Sequence, residues 1–184
     1  DAGFLKAALA SMKVEGETSQ EPAERTNVLP NSDFESASNG KAAKWTPTSY
    51  GGEATFNTDE KGRKGRCVKI SSSEGADAGW ACTVPVKPNT RYRMSGWVKT
   101  VGLKKGSGRG AQFNIHEIGE SKTAAISGDT DWKQLQIEFN SGGRDSVRMN
   151  CLFGGWGRST GEAFFDDVEL IETDASTSLP GQTG

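Results

Sequence analysis

The stretch RYRMSGWVKT, residues 91–100, alternates with a period of two. Tyr92, Met94, Gly96 and Val98 fall on one side of an extended chain, and Arg93, Ser95, Trp97 and Lys99 on the other. A run of this kind packs one face on a core and gives the other to solvent, as in an antiparallel sheet. The first set is the expected core face. The second places a tryptophan among polar groups on an outward face. Strand-like runs recur on both sides of this one: ATFN, RCVKISS and GWACTVPV before it, and GAQFNIHEI, TAAIS, WKQLQIEFN, SVRMNCLFGG and AFFDDVELIE after it. Gly, Asn and Asp punctuate them, and the chain holds 24 glycines. The pattern predicts an all-β domain, a β-sandwich or jelly roll of two antiparallel sheets.

The same alternation in GAQFNIHEI, residues 110–118, sets Ala111, Phe113, Ile115 and Glu117 against Gln112, Asn114, His116 and Ile118. If this strand lies beside 91–100, then Trp97, Arg93, Gln112, Asn114 and His116 share one solvent-facing surface. A one-residue bulge would invert that assignment.

A chain of 184 residues suits one domain with tails better than two domains. Residues 2–14, AGFLKAALASMKV, bring Phe4, Leu5, Ala8, Leu9 and Met12 to one face at helical spacing. The polar EGETSQEPAERTN after them reads as a linker. The expected division is a short N-terminal helix and linker over 1–26, the β domain over 27–173, and a flexible tail over 174–184. Lys and Arg number 22 against 24 Asp and Glu, a net charge of −2, so no global field argues for nucleic acid or an anionic membrane. No apolar run reaches the ~18 residues of a membrane span. The start at Asp1 rather than Met suggests a soluble, processed or excised piece.

Catalytic signatures are absent. His116 is the one histidine, and no serine or cysteine sits in a nucleophile elbow. Glu53, Glu74, Glu117, Glu120 and Glu162 supply carboxylates, but their spacing selects no glycosidase pair. The cysteines lack the C-x-x-C spacing of zinc sites. GSGRG at 106–110 lacks the lysine and the following helix of a phosphate loop, and reads as a hairpin turn. Of the three cysteines, Cys67 and Cys82 lie on consecutive predicted strands. Either they bridge a hairpin, or all three are buried thiols acting as small apolar side chains.

In AFFDDVEL, residues 163–170, two adjacent carboxylates interrupt an apolar strand. Alternation groups Asp166 with Val168 and Leu170 as the inward acid and leaves Asp167 to solvent. The alternative is that both cap a turn beyond the core.

NVLPNSDFE at 27–35, Trp45, GRKGRCVKISS, GWACTVPVKPNTRYRMSGWVKT, DWKQLQIEF and FFDDVEL form an ordered set. Together they resemble the carbohydrate-binding modules of families 4, 9 and 22, within the galactose-binding-like jelly rolls, over about residues 27–172. The resemblance implies a structural calcium tying the first strand to the last. Carried over, Glu35 and Asp166 are its side-chain ligands, with backbone carbonyls near Asp33 and from the Gly62–Gly65 turn. Calcium accepts six to eight oxygens in a flexible geometry, so carboxylates and loop carbonyls mix readily.

A sugar ring offers an apolar C–H face and a belt of hydroxyls, so its sites combine a flat aromatic with polar side chains. The resemblance makes Trp132 and Trp45 core residues and Trp97 a candidate on the concave face. Trp156, in the glycine-rich loop FGGWGRSTG, is expected to be exposed and in contact with a ligand, and Trp80 is open to either role. The implied function is a noncatalytic, secreted module, extracellular or periplasmic. It would bind a poly- or oligosaccharide by stacking on Trp97, with polar help from Arg93, Gln112, Asn114 and His116, and with Trp156 and Trp80 as further candidate contacts. The alternatives are a structural subunit of an extracellular assembly, self-associating or joined to a catalytic domain through the N-terminal segment, and a protein-interaction module.

Overall fold

The computed structural model describes residues 25–173. They form ten strands: β1 (Ala37–Ser38), β2 (Lys41–Ala42), β3 (Thr46–Gly52), β4 (Thr55–Lys61), β5 (Arg66–Pro85), β6 (Arg91–Lys104), β7 (Gly110–Ile115), β8 (Gly128–Asn140), β9 (Ser146–Gly154) and β10 (Ser159–Glu172). Among the described residues there is no helix, and so none long and apolar enough to cross a membrane. The predicted N-terminal helix and C-terminal tail lie outside the described residues.

The all-β expectation is met by two packed layers. The long β5 makes both. Its first half pairs with β4 and β10, and its second half, beyond Gly75 at φ 107°, pairs with β3 and β9. One layer is therefore β4-β5-β10-β6-β8 and the other β3-β5-β9-β7, all antiparallel. The layers meet through apolar side chains: Phe113 of β7 lies edge-on to Phe165 of β10, with ring centroids 5.6 Å apart. Burying each such ring contributes about 1.5–3 kcal/mol.

In β6 the expected core face is the observed one, with Tyr92, Met94 and Val98 buried. Gly96 belongs to that face because a Cβ there would collide with the Phe113 ring from the other layer. That contact overturns the expected juxtaposition of β6 with β7. The two strands face each other across the core instead of lying side by side, so Arg93 and Trp97 point out of one layer and Gln112, Asn114 and His116 out of the other.

The N-terminal segment is stitched to the last strand. Asn27 Nδ2 donates to the Val168 carbonyl at 3.0 Å, its Oδ1 accepts from Leu170 N at 2.9 Å, and Val168 N donates to Ser32 O at 3.0 Å. Trp45 is core, as expected, with its indole N–H on Pro30 O at 3.0 Å and Phe34 at its edge. Trp132 is only half-buried. All three cysteines are free and buried, so the bridge between Cys67 and Cys82 is not formed. The two sit in opposite halves of the bent β5. Burial pushes the Cys67 thiol up to about 12 and the Cys82 thiol up to about 11, which leaves both as neutral apolar groups.

Candidate functional site

The outer face of the β3-β5-β9-β7 layer carries a cleft. Cross-strand register puts Asn114 of β7 opposite Asn150 of β9, and Asn150 opposite Ala81 of β5. Small residues in β5, Gly79 and Ala81, leave room above the sheet, and the amides form the floor. Walls rise on two sides. Tyr50 of β3 reaches over to donate its hydroxyl to Asn150 Oδ1 at 2.9 Å, and its ring stacks on His116 at 5.3 Å between centroids. Trp156, 57% exposed, stands at the other side. The enclosed space is about 410 Å³.

The floor is chemically unfinished. Gln112 Nε2, Asn114 Oδ1 and Asn150 Nδ2 are buried without a hydrogen-bond partner in the protein. Leaving such groups unpaired costs about 1–3 kcal/mol each, so they demand water or a polar ligand. Two of them, Asn114 and Asn150, line the cleft. An arrangement of buried amide donors and acceptors beneath flat aromatic side chains suits a polyhydroxylated ligand with an apolar face.

Asp77 of β5 organises the Trp156 loop. Its carboxylate accepts from Gly155 N at 3.1 Å, and the backbone N–H groups of Trp156 and Gly157 also point to it. Gly154, Gly155 and Trp156 all have positive φ, which turns their N–H groups to one side. Burial raises the Asp77 carboxyl above its usual value, opposed by these three N–H groups. Trp156 is thus held out by a built turn, with the guanidinium of Arg109 5.8 Å and the ammonium of Lys122 5.3 Å from its ring.

The expected site residues divide. Gln112, Asn114, His116 and Trp156 come together at or beneath this cleft. Arg93 and Trp97 lie on the far side of the sandwich, where Trp97 is half-buried under the Arg63 guanidinium, 3.9 Å from its ring centroid. Trp80 is fully buried, its indole N–H bonded to Lys69 O at 3.2 Å and its ring edge-on to Phe56. It is a core side chain and has no face to offer a ligand. Sequence reasoning missed Tyr50, Asn150 and Asp77. Tyr50 lies in a glycine-rich stretch with no alternation. Asn150, a polar residue at the centre of the apolar run SVRMNCLFGG, was the available signal.

The acid pair occupies a separate place. Asp166 is fully buried at a bulge in β10, where the pairing with β6 shifts register and Asp167 takes φ 46°. The bulge sets both Phe165 and Val168 inward and turns Phe164 outward, half-buried beneath Lys69 and Lys99. Asp166 Oδ2 accepts from Arg63 N at 2.9 Å and Lys64 N at 3.3 Å, and Oδ1 accepts from Asp167 N at 2.8 Å. Glu35 reaches the same turn, its Oε1 accepting from Arg66 N at 2.8 Å. Gly65 takes φ 59° there, a backbone conformation that favours glycine, and lies against the Glu35 carboxylate. Asp33 is exposed, and its own carboxylate is turned to Glu35 N at 3.2 Å.

Arg63, whose backbone N–H serves Asp166, has its guanidinium paired to Asp167 at 3.1 Å. Burial and the charge of Asp167 raise the Asp166 carboxyl to about 6. Two acids from opposite ends of the domain converge on one short turn, one of them fully buried, and each keeps free oxygen lone pairs. A hard divalent cation fits this donor set. Among the described residues no group of three or more His, Cys, Asp or Glu side chains converges, so backbone carbonyls would have to complete the shell.

The family model described as a carbohydrate binding domain, covering module families 4 and 9, matches residues 26–151. A tRNA(Glu)-specific nuclease WapA of Bacillus subtilis subsp. natto is 28% identical over 88% of this chain, and exochitinase 1 of Streptomyces olivaceoviridis is 26% identical over 93% of it. The chain spans 8% of the length of that nuclease and 26% of that of the chitinase. Among solved structures, the CBM22-1 xylan-binding domain of Paenibacillus barcinonensis Xyn10C superposes with a TM-score of 0.54 at 16% identity, over 83% of this chain and 97% of that one. This likeness establishes a shared fold.

Proposed function

The chain belongs to the carbohydrate binding domain family, and from that membership we propose that it is a noncatalytic module binding a poly- or oligosaccharide in the cleft of the β3-β5-β9-β7 layer. Asn114 and Asn150 take sugar hydroxyls at the floor. Trp156 stacks on a ring face, and Tyr50 with His116 closes the opposite wall. The observation that carries this reading is the pair of buried amides, Asn114 with its Oδ1 and Asn150 with its Nδ2 unpartnered, under an exposed, positioned tryptophan. A hydroxyl replaces a water there at little enthalpic cost, and the aromatic adds apolar area.

Calcium, on this reading, serves the scaffold. Glu35 and Asp166 hold it against the turn at residues 62–66, which joins β4 to β5 in the other layer. The small share of its longer relatives that the chain covers supports a role as one module of a larger secreted protein, whose other domains would supply any chemistry.

The reading is tested by affinity electrophoresis against plant, algal and microbial polysaccharides. At least one is expected to retard the protein, and Trp156→Ala is expected to weaken that interaction roughly tenfold to a hundredfold, the loss of about 1–3 kcal/mol of stacking. Retention of full affinity by Trp156→Ala, or the absence of retardation by every glycan, would remove the proposal.

A further inference from the structure

The charge around the cleft is not that of the whole chain. A second space of about 310 Å³ adjoins the first, sharing Ile115, His116 and Glu117 with it, and is lined by Arg144 and Arg148. At the opposite end Arg109 and Lys122 flank Trp156. The groove thus has cations at both ends, in a protein whose net charge is −2.

None of these four cations has a carboxylate partner among the described residues. Arg109 bonds to the Gln112 amide at 3.0 Å, Lys122 to Gly119 O at 2.7 Å and Arg148 to Thr48 Oγ1 at 3.1 Å. On the other layer Arg63, Lys69 and Arg91 are paired, to Asp167, to Glu60 and Glu162, and to Glu138, while Arg93, Lys99 and Lys133 carry no ion pair among the described residues, so what marks the groove is the gathering of four such cations about one cleft. Two acids line the groove, and Glu117 shares the second space with Arg144 and Arg148, which leaves that end one cation in excess. Asp77 is engaged by three backbone N–H groups, and Glu117 is exposed, 3.8 Å from His116 Nε2.

A half-buried guanidinium with spare N–H donors beside a polar cavity is a receptor for an oxyanion, since its planar fork matches a carboxylate in bidentate geometry. Lines of field focus in a concave, cation-lined groove and favour an anionic partner over a neutral one of the same shape.

We infer that the groove selects an acidic glycan, a chain bearing uronate carboxylates, with one acid group seated between Arg144 and Arg148 and the next ring units running over Asn114 and Asn150 toward Trp156. This rests on the cleft being the sugar site and adds the chemical class of the sugar. The polar floor reads hydroxyls, and the arginines read charge. Arg109 and Lys122 hold the chain where it leaves over Trp156.

Affinity electrophoresis in gels containing alginate, polygalacturonate, hyaluronan or glucuronoxylan, each beside its carboxyl-reduced form, separates the two questions. At 150 mM salt at least one acid form is expected to bind tenfold or more tighter than its reduced counterpart. Raising the salt to 500 mM shrinks that ratio, because the pairs are partly exposed to solvent. In the double variant Arg144→Gln/Arg148→Gln the ratio falls to about one, with the thermal midpoint of the protein as the check that it is folded. Equal binding of acid and reduced forms, or an acid preference that survives the double variant, overturns the inference while leaving the sugar site standing. Failure of every glycan, acid and neutral, overturns both.

Discussion

Chelation with EDTA is expected to lower the thermal midpoint by about 10 °C, and millimolar calcium to restore it. A ligand at a thousandfold excess over its dissociation constant stabilises the native state by about 4 kcal/mol, and a domain of this size shifts by roughly 2–4 °C per kcal/mol. The effect arises because Asp166 is fully buried and Glu35 shares its turn. Acidification supplies the sign. The Asp166 carboxyl in the metal-free fold is raised to about 6, above its unfolded value, so the folded state binds the proton more tightly. The metal-free form therefore gains stability from this group as the pH falls from above 6 toward 4, by about 3 kcal/mol in all. A proton and a cation compete for the same oxygens, so the gap in midpoint between calcium and EDTA narrows from pH 7.5 to pH 5. Differential scanning calorimetry at the two pH values reads this directly. A midpoint indifferent to EDTA at pH 7.5 sinks the calcium proposal.

Asn150→Leu is expected to weaken glycan binding a hundredfold or more and leave the fold intact. Asn150 is fully buried, its Nδ2 has no partner in the protein, and its Oδ1 accepts only the Tyr50 hydroxyl. A polar site denied its partner group loses far more than an apolar contact is worth. An isosteric apolar side chain at that position removes a desolvated amide from the free protein, and Tyr50, about one-third exposed, can turn its hydroxyl to water. The thermal midpoint then stays within a few degrees of the parent or rises. A structural asparagine would behave in the opposite way, with stability falling and binding following it. Calorimetric titration with the tightest polysaccharide of the panel, alongside thermal melts, distinguishes the two.

Much of the framework was legible in local alternation. Tyr92, Met94 and Val98 announced an inward face by their spacing, and Trp156 announced exposure by the glycines around it. Asp166 is the buried acid of the pair, but not on the face its spacing implied: Phe165 before it and Val168 after it both point inward, so the bulge leaves Asp166 on the side of Phe164, opposite Trp97, and not on that of Val168 and Leu170. What alternation could not reveal is which strands are neighbours, since pairing is set by contacts distant in sequence. Trp97 and Asn114 share a pattern but lie on opposite sides of the sandwich, and only Phe113 docking onto Gly96 makes this plain.

Breaks in the period were also hidden. The bulge at Asp166–Asp167 shifts Phe164 outward against the simple count, and the bend near Gly75 puts Cys67 and Cys82 in different layers. Trp80, at a strand entrance after EGADAG, was open to either role, and nothing local predicted that the Lys69 carbonyl would take its indole N–H. Tyr50 was invisible for a related reason: its value to the cleft comes from Asn150, a hundred residues away in the chain.

The measurement that bears most directly on the central claim is amide chemical-shift mapping of the calcium-loaded protein titrated with an oligosaccharide of the tightest-binding glycan. Perturbations concentrated at Tyr50, residues 114–119 and residues 150–156 are the predicted result. Perturbations gathered instead around Arg93, Trp97 and Gln134, on the outer face of the other layer, would contradict the placement of the site.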